Sequence, residues 1–257
     1  MFYLFLIAAG AVVGFFSGLL GIGGGILMFP LLHYLPQVFG FDAIGVKNIT
    51  GLTMAQGFFA SLSAMLFYQK KGFVNRPLVL TLGLSLFFSS LIGSFLSKAV
   101  PDNVLLFIFG ALALAASGLM FIPRSYSRDD QKEDLIRFSR PAAITIGVLV
   151  GFLIGLVGQG GAFITIPLML YVLKIPLRVA LGSTLAIGLF SATAGMIGKV
   201  ATGQVPFAMA AALLIGAIPV AKAGAMVGNK TKTLYLRWLL AAIISATAIK
   251  ILFEIFG

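Results

Sequence analysis

An apolar, glycine-rich hairpin is written twice in this chain of 257 residues, about half a length apart. Gly14 to Leu31 reads GFFSGLLGIGGGILMFPL and Gly151 to Leu168 reads GFLIGLVGQGGAFITIPL, at a constant offset of 137 residues (151 − 14). Nine of the eighteen positions are identical, among them Gly18/Gly155, Gly21/Gly158, Gly23/Gly160, Gly24/Gly161 and Pro30/Pro167, which chance does not produce. Inside a bilayer every backbone N–H and C=O needs a partner within the protein, so unwound backbone is tolerated only where it lines a cavity. A pair of glycine- and proline-broken apolar segments in corresponding positions of two halves points to the binding site of a secondary transporter.

Composition supports a membrane setting. Hydrophobic residues make up 60% of the chain and charged residues 10%, and runs such as Leu78 to Ser97 and Val179 to Gly198 carry no charge over the roughly twenty residues that a spanning helix needs. The small residues after the first apolar run imitate a signal-peptide cleavage site, but no basic region precedes it and its counterpart recurs in mid-chain, so the segment reads as structural. Ten apolar segments are expected, at about 2–20, 25–38, 46–69, 78–98, 103–122, 142–158, 162–173, 178–199, 206–227 and 234–256. The expected fold class is all-α: a polytopic membrane protein of two inverted repeats, each of five helical segments with a glycine-broken hairpin. The first repeat takes residues 1–122 and the second 142–257. Between them, 123–141 holds nine of the twenty-five charged residues and reads as a solvated linker. The duplication extends past the hairpin, with Val46 set opposite Val179, Leu52 opposite Leu185, and Gly72 and Val74 opposite Gly203 and Val205.

The net charge of +11 would suggest nucleic acid in a soluble protein, but here the basic residues lie between apolar segments and encode orientation, so no nucleic-acid partner is expected. If each hairpin enters and leaves on one side, fourteen lysines and arginines fall on one face and Lys47, Lys98, Lys199 and Lys250 on the other. Treating each hairpin as a single broken span divides the same eighteen ten to eight, which carries no orientation signal. The fourteen-to-four division predicts extracytoplasmic termini, a cytoplasmic linker, the cell inner membrane as location and a second repeat upside down relative to the first. The second members of the hairpins are short. Ile26 to Val38 would make about 20 Å of helix against a hydrocarbon core of about 30 Å, which places the glycine turns inside the membrane.

Candidate substrate contacts follow from that placement. Gly23, Gly24 and Gly25, with Gly160 and Gly161, can form a backbone nest for an anion at a helix N-terminus; the other use of such glycines is close helix packing. Gln159 is opposite Ile22 and Gln56 opposite Leu189, so neither amide is demanded by the duplication. An unpaired amide in hydrocarbon is costly, so each either contacts substrate or makes an interhelical hydrogen bond. Asn48, Thr50, Ser183 and Thr184 sit at the starts of the third and eighth segments, where side-chain oxygens serve as N-caps or as further contacts. Lys47, Lys174, Arg178 and Lys199 are at segment ends, where most such residues snorkel to the interface; guiding an anion is the other role. No cysteine, a single histidine (His33) and no acid at mid-segment leave no reactive set for an intramembrane enzyme acting on a lipid head group, and no carboxylate relay for proton coupling. No metal and no cofactor is called for. A structural subunit of a larger membrane complex would have no use for the duplicated broken hairpins, and a homo-oligomer is compatible with the sequence.

The paired hairpins GxxSGLLGIGGGxxxxPLL and GxxxGLxGxGGAFxxIPLM, with ALGSTLAIGLFSATAG at Ala180 to Gly195 and the KKGFV and TGQV turns, resemble the TauE/SafE sulfite exporter family over nearly the whole chain. The resemblance implies a membrane transporter, an exporter by its family name, that carries a small sulfur-containing oxyanion or organosulfonate by alternating access. One departure is VKNITG in the first repeat where the second has ALGST, so the site is not expected to be symmetric.

Overall fold

In a computed structural model residues 1–69, 73–122, 138–158 and 162–256 are described, and among them are ten α-helices. They are α1 (Phe2–Leu20), α2 (Gly25–Val38), α3 (Val46–Gln69), α4 (Arg76–Leu96) and α5 (Asp102–Phe121), then α6 (Arg140–Val157), α7 (Ala162–Tyr171), α8 (Leu177–Ala201), α9 (Phe207–Lys230) and α10 (Thr233–Phe256). Each expected segment is a helix. Among the described residues eight helices are long and apolar enough to cross a membrane, and α2 and α7 are shorter apolar helices. At 1.5 Å per residue, their 14 and 10 residues make about 21 and 15 Å, short of the hydrocarbon core of about 30 Å. Two helices start on the same local device. Asn75 and Ser139 each precede an Arg-Pro pair; the Asn75 side chain accepts from Leu78 N at 2.9 Å and the Ser139 hydroxyl from Ala142 N at 3.5 Å.

Lipid supplies no hydrophobic drive for helix association, so the helices are held by close approach and hydrogen bonds. Gly10, Gly14 and Gly18 form one stripe of α1, and a Cβ on any of them would collide with the backbone of Leu213, Ala217 or Ala221 in α9. On α6, Gly147, Gly151 and Gly155 meet Ser85, Ser89, Leu86 and Ser90 of α4 in the same way. The described glycines of the duplicated hairpin thus divide into two kinds: Gly14, Gly18, Gly151 and Gly155 pack helices, while Gly21, Gly23, Gly24 and Gly158 take left-handed turn conformations. Serine hydroxyls add bonds across the bundle, from Ser89 to Gly147 O (3.0 Å) and from Ser90 to Ser191 O (3.3 Å). Large apolar side chains, including Phe88, Ile92, Phe107, Leu149 and Ile215, face outward, as lipid contact requires.

The contacts between the halves are reciprocal and fix their register. A Cβ on Gly93 would strike Phe152 O and Leu156 N, and one on Gly224 would strike Phe15 O and Leu19 N. Gly51 lies against Gln204 O and Gly182 against Phe73 O; Gly158 lies against Thr50 O and Gly21 against Leu181 O. Beyond the hairpins, all of these pairs share an offset of 131 residues (182 − 51). The sequence pairing of Val46 with Val179 and Leu52 with Leu185, at 133 (179 − 46), is therefore two residues out of register. Valines and leucines recur too often along an apolar helix to fix a register, whereas a glycine beneath a specific carbonyl does so. Gln56 is consequently equivalent to Ile187, and Thr50 to Leu181.

Ring contacts between Phe2 and Phe41 (5.2 Å between centroids) and between Phe5 and Phe39 (5.7 Å) bring the end of α2 back to the start of α1. The same end of the bundle holds the start of α3 and the ends of α4 and α8, since Lys199 bonds to both Thr50 and Ser97.

Candidate functional site

The first glycine turn connects α1 to α2. Gly21, Gly23 and Gly24 have φ of 65°, 65° and 78°, in the left-handed region that side-chain-bearing residues avoid, and Gly25 is the first residue of α2. Gly24 is the N-cap and carries no side chain, so the leading N–H groups of α2 have no side-chain cap. Over this turn lies Gln56 of α3, fully buried, with both its Oε1 and Nε2 lacking a hydrogen-bond partner. A Cβ on Gly24 would fall 2.6 Å from Gln56 Oε1 and 2.9 Å from Nε2, so the amide occupies the space that the glycine leaves. Ser61 Oγ is 3.5 Å from the corresponding position on Gly23, and Gly57 lets α3 approach the Gly23 carbonyl. On the last turns of α1, Ser17 Oγ is also buried without a partner. A bare helix N-terminus, a buried amide with unspent donors and acceptor, and an unpaired hydroxyl together suit a small ligand rich in oxygen, because each buried unpaired group is a free-energy deficit that a ligand can remove.

The second glycine turn follows α6. Gln159, Gly160 and Gly161 lie outside the described residues; Gly158 has φ of 73° and contacts α3. Thr53 Oγ1 shares its proton between Thr50 O (2.8 Å) and Gly158 O, and the Thr50 side chain packs directly on Gly158. Thr50 Oγ1 donates to Lys47 O (2.7 Å) and accepts from Lys199 Nζ (2.9 Å). Lys199 is fully buried; its ammonium is also within hydrogen-bond distance of Ser97 Oγ (2.8 Å), Gln204 Oε1 (3.1 Å) and Leu156 O (3.2 Å), so its three N–H groups are shared among these acceptors and Thr50.

The structure brings Gly23, Gly24, Gly25 and Gln56 together at the first turn, and Thr50 to the second. Asn48 is not with them. It is exposed at the start of α3, in an open pocket with Phe2, Phe41, Asp42 and Met209. Ser183 and Thr184 are buried well inside α8, whose N-cap is Pro176, and Asn48 and Thr50 follow the first residue of α3, so none of the four is an N-cap. Ser183 Oγ instead accepts from Asn75 N (2.9 Å), and Thr184 Oγ1 bonds back to Ala180 O within its own helix. Lys47 and Arg178 are equivalent residues with equivalent work: Lys47 donates to Lys98 O (2.9 Å) and Arg178 to Asn229 O (3.1 Å), capping the ends of α4 and α9. Lys47 also lies 3.9 Å from Asp102, and Lys174 sits in the connection after α7 with φ of 58°.

Sequence reasoning passed over Ser17, Thr53, Ser97 and Gln204, and it grouped Lys199 with the interfacial anchors. The asymmetry that singled out Gln56 applies to Lys199 too, whose equivalent is Tyr68. What hid it was position: two residues from the end of a helix, a lysine reads as a snorkelling group, and only packing shows that three other helix ends close over it.

The comparisons with known proteins agree with this architecture. The chain is 28% identical over 248 residues to the probable membrane transporter protein YunE of Bacillus subtilis, covering 91% of each chain. It is 30% identical over 254 residues to the probable membrane transporter protein MJ0441 of Methanocaldococcus jannaschii, covering 93% of this chain and 91% of that one. A probable membrane transporter protein of Xylella fastidiosa is 30% identical over 187 residues, 72% of this chain and 69% of its own. No solved structure gives a significant match. The family model described as sulfite exporter TauE/SafE matches residues 6–251, and the chain, a multi-pass membrane transporter by fold and kinship, belongs to the TauE/SafE family.

Proposed function

We propose that the chain exports a small sulfur-containing oxyanion, such as sulfite or an organosulfonate, by alternating access between its two glycine turns. The observation that carries the reading is the buried, unpartnered amide of Gln56 resting on Gly24 at the start of α2. An anion there receives backbone N–H groups and the partial positive charge of a helix N-terminus, and it satisfies an amide that otherwise has no partner. The reciprocal contacts between halves, with the end of α8 beside the start of α3, support an inverted repeat. The fourteen-to-four charge division supports extracytoplasmic termini, a cytoplasmic linker at 123–141 and the inner membrane as location. Export of an anion from an inside-negative cell gains about 2.3 kcal/mol per charge per 100 mV, so it runs without a coupling ion. The acidic residues suit this: among the described residues Asp42 lies in the connection from α2 to α3, Asp102 opens α5 and Glu254 is in the last turn of α10.

Flux from sulfite-loaded proteoliposomes tests the reading. Release should quicken when the loaded side is made negative, should need no proton or sodium gradient, and should slow in Gln56→Leu. Strict dependence on a proton or sodium gradient would overturn passive export. Single cysteines at Ser127 and Asp102, in a chain with none, should label from the cytoplasmic and outer faces respectively; labelling of both from one side would remove the inverted arrangement.

A further inference from the structure

The polar side chains at the first glycine turn, Gln56, Ser61 and Ser17, are uncharged, and two of them stand where the other half of the chain carries isoleucine. Gln56 is equivalent to Ile187 and, at the hairpin offset of 137 (154 − 17), Ser17 to Ile154, both buried. The duplicated fold is thus built once with these groups and once without them, so packing alone does not call for either. Ser17 lies one turn along α1 from Val13, whose Cγ1 is 2.6 Å from where a Cβ on Gly24 would sit; its hydroxyl is therefore on the face of α1 that meets the turn. At the start of α2, Leu27 N and Met28 N both bond to Gly24 O, at 3.1 and 2.9 Å, and among the described residues nothing accepts from the N–H groups of Gly25 and Ile26.

Among the described residues, the groups of the surrounding helices that can carry charge lie elsewhere. His33 and Tyr34 are more than two turns along α2 from Gly25, with Lys250 of α10 over the Tyr34 ring at 3.9 Å; Lys47 is in the first turn of α3 and Lys222 of α9 is exposed. Lys199 is held by Thr50, Ser97, Gln204 and Leu156. The cradle leaves no space for water either: Gln56 is fully buried, and its two amide atoms fall 2.6 and 2.9 Å from a Cβ on Gly24. An anion that binds here sheds its hydration shell, at a cost that grows with the square of its charge, and receives only dipoles, whose attraction grows with the charge itself. One negative charge suits such a site and two do not. The amide adds a second condition. Whichever way round it is set, it offers one acceptor beside its two donors, and an anion made only of acceptors leaves that oxygen unpaired.

We infer that the first glycine turn selects a singly charged oxyanion, and that sulfite is taken there as hydrogensulfite, the form that keeps a proton. The inference rests on the reading of the chain as an anion carrier and names the ionic form accepted at this turn. The ligand oxygens accept from Gln56 Nε2, the Ser17 hydroxyl and the free N–H groups of α2, and the hydroxyl of hydrogensulfite donates to Gln56 Oε1. An alkanesulfonate meets the charge condition and leaves Oε1 as it is. Sulfate and the sulfite dianion meet neither.

The test is a titration of purified full-length protein, under nitrogen and at constant ionic strength, with sodium sulfite and with sodium ethanesulfonate at pH 6 and pH 8.5. Each is read as a shift in thermal unfolding against the ligand-free protein at the same pH. Sulfite passes from mainly singly to mainly doubly charged between these values, while ethanesulfonate keeps one charge throughout. The half-saturating concentration of total sulfite should rise about tenfold or more from pH 6 to pH 8.5, that of ethanesulfonate should stay within about twofold, and Gln56→Leu should weaken sulfite at pH 6 by about tenfold or more. Sulfite that binds as well or better at pH 8.5 would overturn the inference and leave the carrier reading standing. Parallel weakening of both ligands would do the same, since it assigns the change to a group of the protein. A pH split that survives unchanged in Gln56→Leu would put the selection at another site and overturn the inference too; should that variant not fold, Gln56→Met is read in its place. A protein that responds to neither ligand and transports neither would bring down both readings.

Discussion

At the first glycine turn, Gln56 and Ser17 hold buried polar atoms with no partner, whereas at the second, Thr50, Thr53 and Lys199 all have partners, several of them shared. The described entry to each turn is alike: Gly21 and Gly158 are both left-handed, and each sits against the carbonyl of an equivalent residue, Leu181 or Thr50. Among the described residues the difference lies in the side chains packed over the two turns. A ligand reaching the first turn meets groups already short of hydrogen bonds, so its binding removes a deficit; at the second it exchanges with bonds already made. The side chains over the two turns have thus diverged into an unsatisfied neutral set and a satisfied set that includes a buried ammonium.

That comparison can be broken at its frame first. Gly18→Leu and Gly155→Leu place a side chain against the backbone of Ala221 and Ser90 respectively, and each should destabilise by about 3 kcal/mol or more, read as a collapsed thermal transition or loss of the monodisperse species in detergent. If one of the pair is tolerated, the halves are not packed reciprocally. At the first turn, Gln56→Leu should weaken sulfite binding by about 1.5 to 3 kcal/mol, about tenfold to a hundredfold, while the melting temperature holds or rises because an unpaired amide has been removed. A fall in stability with unchanged binding would make the amide a packing group. Gln159→Leu is expected to give the same loss of binding at the second turn.

Smaller effects sharpen the contrast between the turns. Thr53 and Thr184 are equivalent, but Thr53 reaches across to Gly158 O and Thr184 bonds within its own helix. Thr53→Val should therefore lower stability by about 1 kcal/mol and Thr184→Val by much less, measured by thermal unfolding. Equal losses would mean that the clamp on Gly158 does not hold the turn. The least effect is expected at Ser94, whose hydroxyl is 3.4 Å from Ala194 O: Ser94→Ala should cost about 0.6 kcal/mol, the usual worth of such a bond between membrane helices.

The helices were legible because their signals are local. A charge-free run of about twenty residues between polar breaks makes a spanning helix wherever it occurs, and the observed helices begin and end within three residues of the expected segments. Gln56 was legible as a candidate because an amide that a duplication does not repeat must answer to something other than the fold. The capping role considered for Asn48, Thr50, Ser183 and Thr184 failed for a local reason too: Gly45 and Pro176 stand ahead of the first helical residues, Val46 and Leu177, so α3 and α8 begin earlier than a hydroxyl-based start suggests.

By itself the sequence determined the all-helical class, the duplication, the two short helices after glycine turns and the exclusion of thiol chemistry, since each follows from residue type and spacing along the chain. Tertiary structure alone decided the register of the second half, the seating of Gln56 on Gly24 and the burial of Lys199, which joins residues 43, 102 and 149 positions away. The physical reason is that an apolar helix has many nearly equivalent faces for a membrane to accept. Which one turns inward is settled only where a glycine, a carbonyl or a buried ammonium on another helix leaves a single fit.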